Sequence, residues 1–162
     1  MISMSRALLL PAAISILLML GSCDKPASTG VSMADPRVAG SVTLYRLDGD
    51  RYPGDPISEG AILMHGWPIL QTCPIAQADT RAVLLSALDE GIANGGGVPV
   101  DCYNPRHALR LESKGVTTDF MICFQCRNYY VWMGDKQTGG GQISTTPRST
   151  FNEVLENCIQ LD

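Results

Sequence analysis

The sequence predicts an α+β domain, in which an antiparallel sheet of four to five strands has two helices packed on one face. Short runs in the middle of the chain alternate apolar and polar residues, the period of half-buried strands. A helical stripe of Leu84, Leu88 and Ile92 precedes those runs, and a second stripe, from Phe151 to Ile159, follows them. Strands bounded by helices whose apolar stripes must pack on a sheet are typical of α+β domains.

The N-terminus has the features of a bacterial lipoprotein signal peptide over residues 1–22. One positive charge is followed by an apolar run that is shorter than the ~20 residues of a transmembrane span. The run ends in Leu20-Gly21-Ser22-Cys23, which resembles the lipobox of bacterial lipoproteins. The resemblance implies cleavage before Cys23 and attachment of acyl chains such as palmitate to Cys23. Two or three acyl chains on one residue are enough for stable membrane anchoring.

Asp24 follows the predicted lipidation site. In the enterobacterial sorting rule that accompanies this resemblance, aspartate at that place retains a lipoprotein in the inner membrane, facing the periplasm. Residues 23–40 are rich in Pro, Ser, Gly and Ala without an apolar period, which predicts a lipidated flexible tether. Residues 41–162 have the length of one domain, and we predict a single α+β domain there.

The charge of the chain indicates which partners to expect. The sequence has 12 Lys and Arg against 16 Asp and Glu, and removing residues 1–22, which contain Arg6, leaves 11 against 16, or net −5. An acidic domain disfavours nucleic acid, which needs a basic surface. We therefore expect the membrane, through the N-terminal lipid, and a protein of the envelope as partners. The glycine runs 95–97 and 139–141 match no nucleotide-binding pattern and are predicted as loops.

The first predicted elements of the domain are strands. Residues 42–47 alternate apolar and polar side chains. Residues 61–70 are a second extended run, which Pro68 places near an edge or a bend. A helix follows over residues 77–94, with Asp79 as its N-cap.

A hairpin is predicted next, with strands at residues 106–112 and 117–124. Its turn at Ser113-Lys114-Gly115 makes facing residue numbers add up to about 229. In that register Cys123 faces Arg106 or His107, and Cys126 faces Cys102 or Tyr103, within the 4.5–5.5 Å of antiparallel partners. A third strand is predicted over residues 129–133 and a short one over 142–145. The last helix is predicted to begin with a capping box of Thr150 and Glu153.

Five cysteines follow Cys23, and in an exported protein disulfides are the default. An odd number leaves at least one free, metal-bound or paired between chains. The hairpin register favours a Cys102–Cys126 bond. A Cys73–Cys158 bond is the second candidate.

Other chemistry remains open at the same residues. Three thiolates and an imidazole form a tetrahedral ligand set that zinc accepts, here Cys102, His107, Cys123 and Cys126. A redox-active Cys123-x-x-Cys126 is a further alternative, although no helix follows it to lower a thiol pKa. His107 is also interpreted as a packed core residue. His65 has no cysteine or acidic neighbour in the sequence, and a pair of Arg110 with Asp119 is interpreted as surface decoration.

The segment Cys102…Pro105-Arg106-His107…Cys123-Phe124-x-Cys126 resembles a motif of exported bacterial proteins and lipoproteins that have no assigned activity. The resemblance implies a similar domain in the cell envelope and no particular reaction. We expect a lipid-anchored envelope protein with a non-catalytic binding or structural role, a hairpin stapled by cysteines, no catalytic residues and no resident cofactor. The alternatives are a zinc-binding or thiol-redox envelope protein, and an immunity or inhibitor lipoprotein that acts against an envelope toxin.

Overall fold

The chain folds around a curved antiparallel sheet, as seen in a computed structural model that describes residues 40–51, 54–97 and 101–158. The predicted signal peptide, the lipidation site Cys23 and almost all of the tether lie outside the described residues. The strands are β1 (Ser41–Leu47), β2 (Leu63–Met64), β3 (Trp67–Pro74), β4 (His107–Ser113), β5 (Val116–Cys123), β6 (Asn128–Met133) and β7 (Lys136–Gln142). The helices are α1 (Ala78–Ala93) and α2 (Arg148–Glu156). Within the described ranges, neither helix is long and apolar enough to cross a membrane.

The sheet has the order β2-β3-β1-β4-β5-β6-β7 and curves into a half-barrel. Every neighbouring pair of strands is antiparallel. The predicted α+β class, with an antiparallel sheet and two helices, is confirmed. The predicted strand count of four to five is wrong, because the described part of the sheet has seven strands. The difference arises at two places, a turn that was not recognised and a strand made largely of glycine.

The unrecognised turn divides the run predicted over residues 61–70 into β2 and β3. Leu63 pairs with Pro68 and Met64 with Trp67, which leaves His65 and Gly66 as a two-residue turn. Both have positive φ, 46° and 88°. This is the backbone that matches the twist of a hairpin, and Asn, Asp or Gly usually stands at its first position. A histidine there conceals the turn from sequence analysis.

The glycine strand is β7, which contains the run Gly139–Gly141 that was predicted as a loop. A Cβ atom on Gly140 would lie 2.6 Å from the carbonyl oxygen of Tyr129 and 2.7 Å from Cδ1 of Tyr130. Glycine is therefore required where β7 pairs with β6. Since glycine has no side chain, the strand shows no alternation in the sequence. The strand predicted over residues 142–145 is displaced, because β7 ends at Gln142.

Apolar layers cover both faces of the sheet. Between the sheet and the helices lie Leu84 and Leu88 of α1 and Phe151 and Leu155 of α2, all at most 1% exposed. The two helices therefore pack on one face, which we call the helix face. Strand residues of opposite alternation form a smaller layer on the other face: Tyr45, Leu47, Met64, Ala108 and Met121.

The helix starts differ from the predicted caps. The N-cap of α1 is Gln77 and that of α2 is Pro147, and neither makes a side-chain capping hydrogen bond. Asp79 instead lies inside the first turn of α1. The capping box predicted from Thr150 and Glu153 is wrong, because α2 begins two residues earlier than Thr150. Helices in proteins are stabilised mostly by the packing of an apolar face, so both can begin without a side-chain cap.

Candidate functional site

The hairpin of β4 and β5 has the predicted register, but its strands end before the cysteines. Facing pairs run from Ser113 with Val116 to His107 with Ile122, so their numbers add up to 229 as predicted. β4 begins at His107 and β5 ends at Cys123. The chain then turns into β6 and no longer continues along β5. The ladder therefore does not bring the predicted residues together at one point: Cys102, His107, Cys123 and Cys126.

The turn between β5 and β6 is closed by a disulfide bond between Cys123 and Cys126, with Cα atoms 5.2 Å apart. The backbone N–H of Cys126 donates a hydrogen bond to Sγ of Cys123 at 3.1 Å, and each residue is only 1% exposed. This pairing replaces the Cys102–Cys126 bond that the register favoured. Cys102 is the free cysteine among the described residues, and its carbonyl accepts a hydrogen bond from Nδ2 of Asn128 at 2.9 Å.

A second disulfide bond joins Cys73, near the end of β3, to Cys158, just beyond α2. Their Cα atoms are 5.9 Å apart and 85 residues separate them in the sequence. Cys73 is 3% exposed within the apolar layer on the helix face, and Cys158 packs against that layer. The bond fixes the last helix to the sheet.

His107 lies on the helix face, whereas the alternation of β5 directs Cys123 to the opposite face. Its Nε2 is 2.8 Å from Oδ1 of Asn152, and its ring meets the rings of Phe124 and Phe151 edge-on. Within the described ranges, no three His, Cys, Asp or Glu residues are grouped so that they could hold a metal ion. The predicted zinc ligands are thus not assembled, because His107 and the paired sulfurs of Cys123 and Cys126 lie on different sides of the sheet.

Burial lowers the pKa of His107 from its ordinary value of 6.5 to about 4. Loss of hydration disfavours the imidazolium most strongly. The hydrogen bond to Asn152 opposes this effect, and the positive charges of Arg46, Arg148 and Arg106 add to it. His107 is therefore neutral at pH 7.

Acidification from pH 7 to pH 4 is expected to destabilise the fold by roughly 3 kcal/mol through His107. Its pKa in the folded chain, about 4, lies below the value of 6.5 expected after unfolding, so the unfolded state binds the proton first. The stability that neutral His107 contributes is therefore complete above about pH 6.5 and is lost as the pH falls toward 4. Urea unfolding of the wild type and of His107→Gln across this range isolates the contribution. Parallel stability curves for the two proteins would contradict it.

A cavity of about 250 Å³ opens beside His107. Three arginines line it, Arg46 of β1, Arg106 before β4 and Arg148 at the start of α2. Asp50 is paired with Arg106, whose hydrogen bond lowers the pKa of that carboxyl. Other walls are formed by apolar and amide side chains, including Phe124. We call this space the arginine cavity.

A separate charged cluster lies on the opposite face of the sheet. Asp119, only 2% exposed, accepts hydrogen bonds from Nε of Arg110 at 2.7 Å and from its terminal nitrogen at 2.8 Å. Nε2 of His65 lies 2.8 Å from the second carboxylate oxygen, and its ring stacks on Trp132 with centroids 4.2 Å apart. The hydrogen bonds from Arg110 to Asp119 raise the pKa of Arg110 above its usual range. The cluster holds the turn between β2 and β3 against β4, β5 and β6.

Sequence analysis identified the pair of Arg110 and Asp119 but misjudged its burial and missed His65. The interpretation as surface decoration is wrong, because Asp119 lies in a strand that is covered on both faces. The apolar residues around Asp119 were the available signal, since a buried carboxylate requires partners. His65 lies 54 residues away in the sequence. No local pattern connects it with Asp119.

No protein-family model, curated protein or solved structure matches the chain. Its function is therefore inferred from its own residues. Three features carry chemistry: the paired cysteines, the buried cluster around Asp119 and the arginine cavity. The first two are internally satisfied, and the arginine cavity is open.

Proposed function

We propose that the protein is a lipid-anchored component of the cell envelope, with a non-catalytic binding or structural role. The observation that carries this proposal is the pairing of four cysteines, Cys73 with Cys158 and Cys123 with Cys126. Disulfides persist in oxidising compartments such as the bacterial periplasm. The segment Leu20-Gly21-Ser22-Cys23 supports attachment to the membrane in that compartment.

The most reactive side chains of the described residues are bonded or enclosed, which supports binding rather than catalysis. The carboxylate of Asp119 is engaged on both oxygens by Arg110 and His65. The sulfurs of Cys123 and Cys126 are enclosed, whereas reactive cysteines are generally accessible and lie in electropositive surroundings. A stapled sheet with an open cavity is a suitable scaffold for holding a ligand. The inner membrane is the proposed location, because Asp24 follows Cys23.

Replacing Cys23 by serine is expected to abolish lipidation and release the protein from the membrane, because serine lacks the thiol that accepts the lipid. The measurement is incorporation of a palmitate analogue, together with fractionation of membranes, in a bacterium that expresses the full chain. Cys102→Ser is the matched control, since it removes a free cysteine outside the lipobox and leaves labelling intact. Labelling that survives in Cys23→Ser would refute lipid anchoring.

One observation favours a thiol-redox role as the second candidate. The hydrogen bond from Cys126 N–H to Sγ of Cys123 would stabilise a thiolate at Cys123 after reduction. Iodoacetamide labelling of the intact protein after mild reduction distinguishes the two roles. Rapid modification of Cys123 and Cys126 supports redox chemistry. Labelling confined to Cys102 supports the structural role.

A further inference from the structure

The arginine cavity concentrates positive charge in an otherwise acidic protein. Arg46, Arg106 and Arg148 are a quarter of the 12 lysines and arginines of the chain. Among the described residues that line the cavity, Asp50 is the one carboxylate. Since His107 is neutral, the lining has a net positive charge at pH 7. Like charges around one small space repel each other, and an anion placed between them would relieve the repulsion.

Neutral side chains orient two of these arginines. Nε of Arg46 donates to the amide oxygen of Gln71 at 3.3 Å, and a terminal nitrogen of Arg106 donates to the amide oxygen of Gln125 at 2.7 Å. An amide oxygen fixes the direction of a guanidinium group without cancelling its charge. The charge of Arg106 is partly balanced by Asp50, whereas Arg46 has no carboxylate partner among the described residues. The remaining N–H donors are therefore held in place for another acceptor.

The third arginine, Arg148, is at a position that is unfavourable for a positive charge. Arg148 is the first residue of α2, whose N-terminus carries partial positive charge, and the first turn contains no acidic residue. Within the described ranges, its guanidinium makes no hydrogen bond or ion pair. His107, which is 5% exposed, lines the same cavity, and its Nδ1 has no partner among the described residues. The cavity thus has a guanidinium group without a partner among the described residues on the side of α2, whereas Nδ1 of neutral His107 is a buried acceptor and offers no donor to an anion.

We propose that the arginine cavity binds a small oxyanion, a carboxylate or phosphate group, between the guanidinium groups of Arg46, Arg106 and Arg148. Guanidinium groups match the paired oxygens of these anions with two parallel hydrogen bonds. The site specifies which class of ligand the protein would bind in the role proposed above. The anion site itself follows from the cavity, and only its location in the cell envelope rests on the proposed function.

The size and lining of the cavity define the ligand further. A volume of about 250 Å³ is below the ~300–1,000 Å³ of pockets that enclose drug-sized molecules, so the cavity accommodates one anionic group and a few carbon atoms. The apolar walls of Leu47, Leu70 and Phe124 can contact those carbons. We assign the anion to a small solute, because a cavity of this volume can take up a free anion with a few carbon atoms whole.

The test is a titration of the full chain in phosphatidylcholine nanodiscs with inorganic phosphate and with succinate, at constant ionic strength. Calorimetry measures binding, and the fluorescence of Trp67 and Trp132 measures thermal unfolding. We expect saturable binding of at least one anion and a higher unfolding temperature. Arg148→Gln is expected to weaken binding at least tenfold without lowering the stability of the free protein, because the Arg148 side chain has no hydrogen-bond or ion-pair partner among the described residues.

Arg127→Gln is the matched control, since it removes the same charge from an exposed turn outside the cavity. Unchanged binding in this control, together with the loss in Arg148→Gln, supports the site. Equal loss in both variants, or no saturable binding of either anion, overturns it. Nanodiscs that contain phosphatidylglycerol test whether a lipid head group is the source of the anion. If this lipid stabilises the wild type but not Arg148→Gln, and neither free anion stabilises the wild type, the assignment to a solute is overturned. Because anion binding is measurable in detergent as well, failure of lipid anchoring would leave this test intact.

Discussion

Removing the bond between Cys73 and Cys158 is expected to lower the free energy of unfolding by about 4.5 kcal/mol. The bond closes a loop of 85 residues, so the unfolded chain gains a large amount of conformational freedom when it is absent. The variant carries alanine at both positions, which leaves no buried polar atom. Urea unfolding of the non-reduced wild type and of this double variant measures the difference, since both then keep the bond between Cys123 and Cys126.

Two other cysteine variants serve as controls. Cys102→Ala is expected to leave stability nearly unchanged, because Cys102 is free and half-buried. Alanine at both Cys123 and Cys126 removes a bond that closes a much shorter loop. The chain-entropy model gives a loss of about 2 kcal/mol in the free energy of unfolding for this bond. A Cys102 variant as unstable as the one lacking the long loop would mean that Cys102 has a bond in solution. A larger loss of stability without the Cys123–Cys126 bond than without the Cys73–Cys158 bond would contradict the assigned pairing.

Arg110→Met is expected to destabilise the protein by about 3 kcal/mol. Methionine replaces the aliphatic part of the arginine but removes two hydrogen bonds to Asp119. Among the described residues, the buried carboxylate then has His65 as its one remaining side-chain partner. We take the lower end of the range for broken buried ion pairs, since the Arg110 side chain is 31% exposed and partly solvated. Denaturant unfolding at pH 7 measures the effect.

Arg127→Met is the matched control for Arg110→Met. It removes an exposed positive charge and is expected to change stability by under 1 kcal/mol. A loss of similar size in both variants would mean that overall charge, rather than the buried cluster, determines the effect. Adding Asp119→Asn to Arg110→Met should recover part of the stability, because it removes the carboxylate left without its main partner.

Sequence reasoning predicted the parts of the fold in which the pattern of apolar, polar and turn-forming residues indicates the secondary structure. The register of β4 and β5 followed from the turn at Lys114 and Gly115, and the helix over residues 77–94 closely matches α1. β7 was missed because three of its residues are glycines, which have no side chain to alternate. The turn before β3 was missed because His65 occupies a position where histidine is unusual.

The candidate site was less predictable, because it depends on which strands become neighbours. The cysteine prediction extended the register of a hairpin beyond its last pair, and the turn after Cys123 ends that register. The arginine cavity combines Arg46, Arg106 and Arg148, and the last of these lies 102 residues after the first. A local pattern reports the periodicity of one element. It does not report that β1 lies between β3 and β4.

The central position of β1 has a mechanical consequence. The described chain enters the domain at Gly40 and continues directly into β1, which is hydrogen-bonded to β3 on one side and β4 on the other. In a lipid-anchored protein, a pull between the membrane and a ligand in the arginine cavity would act nearly along this strand. The hydrogen bonds of antiparallel strands run across that direction, so both ladders would bear the load in shear, many bonds at once. The position of β1 between two strands therefore makes it resistant to extraction along its own axis.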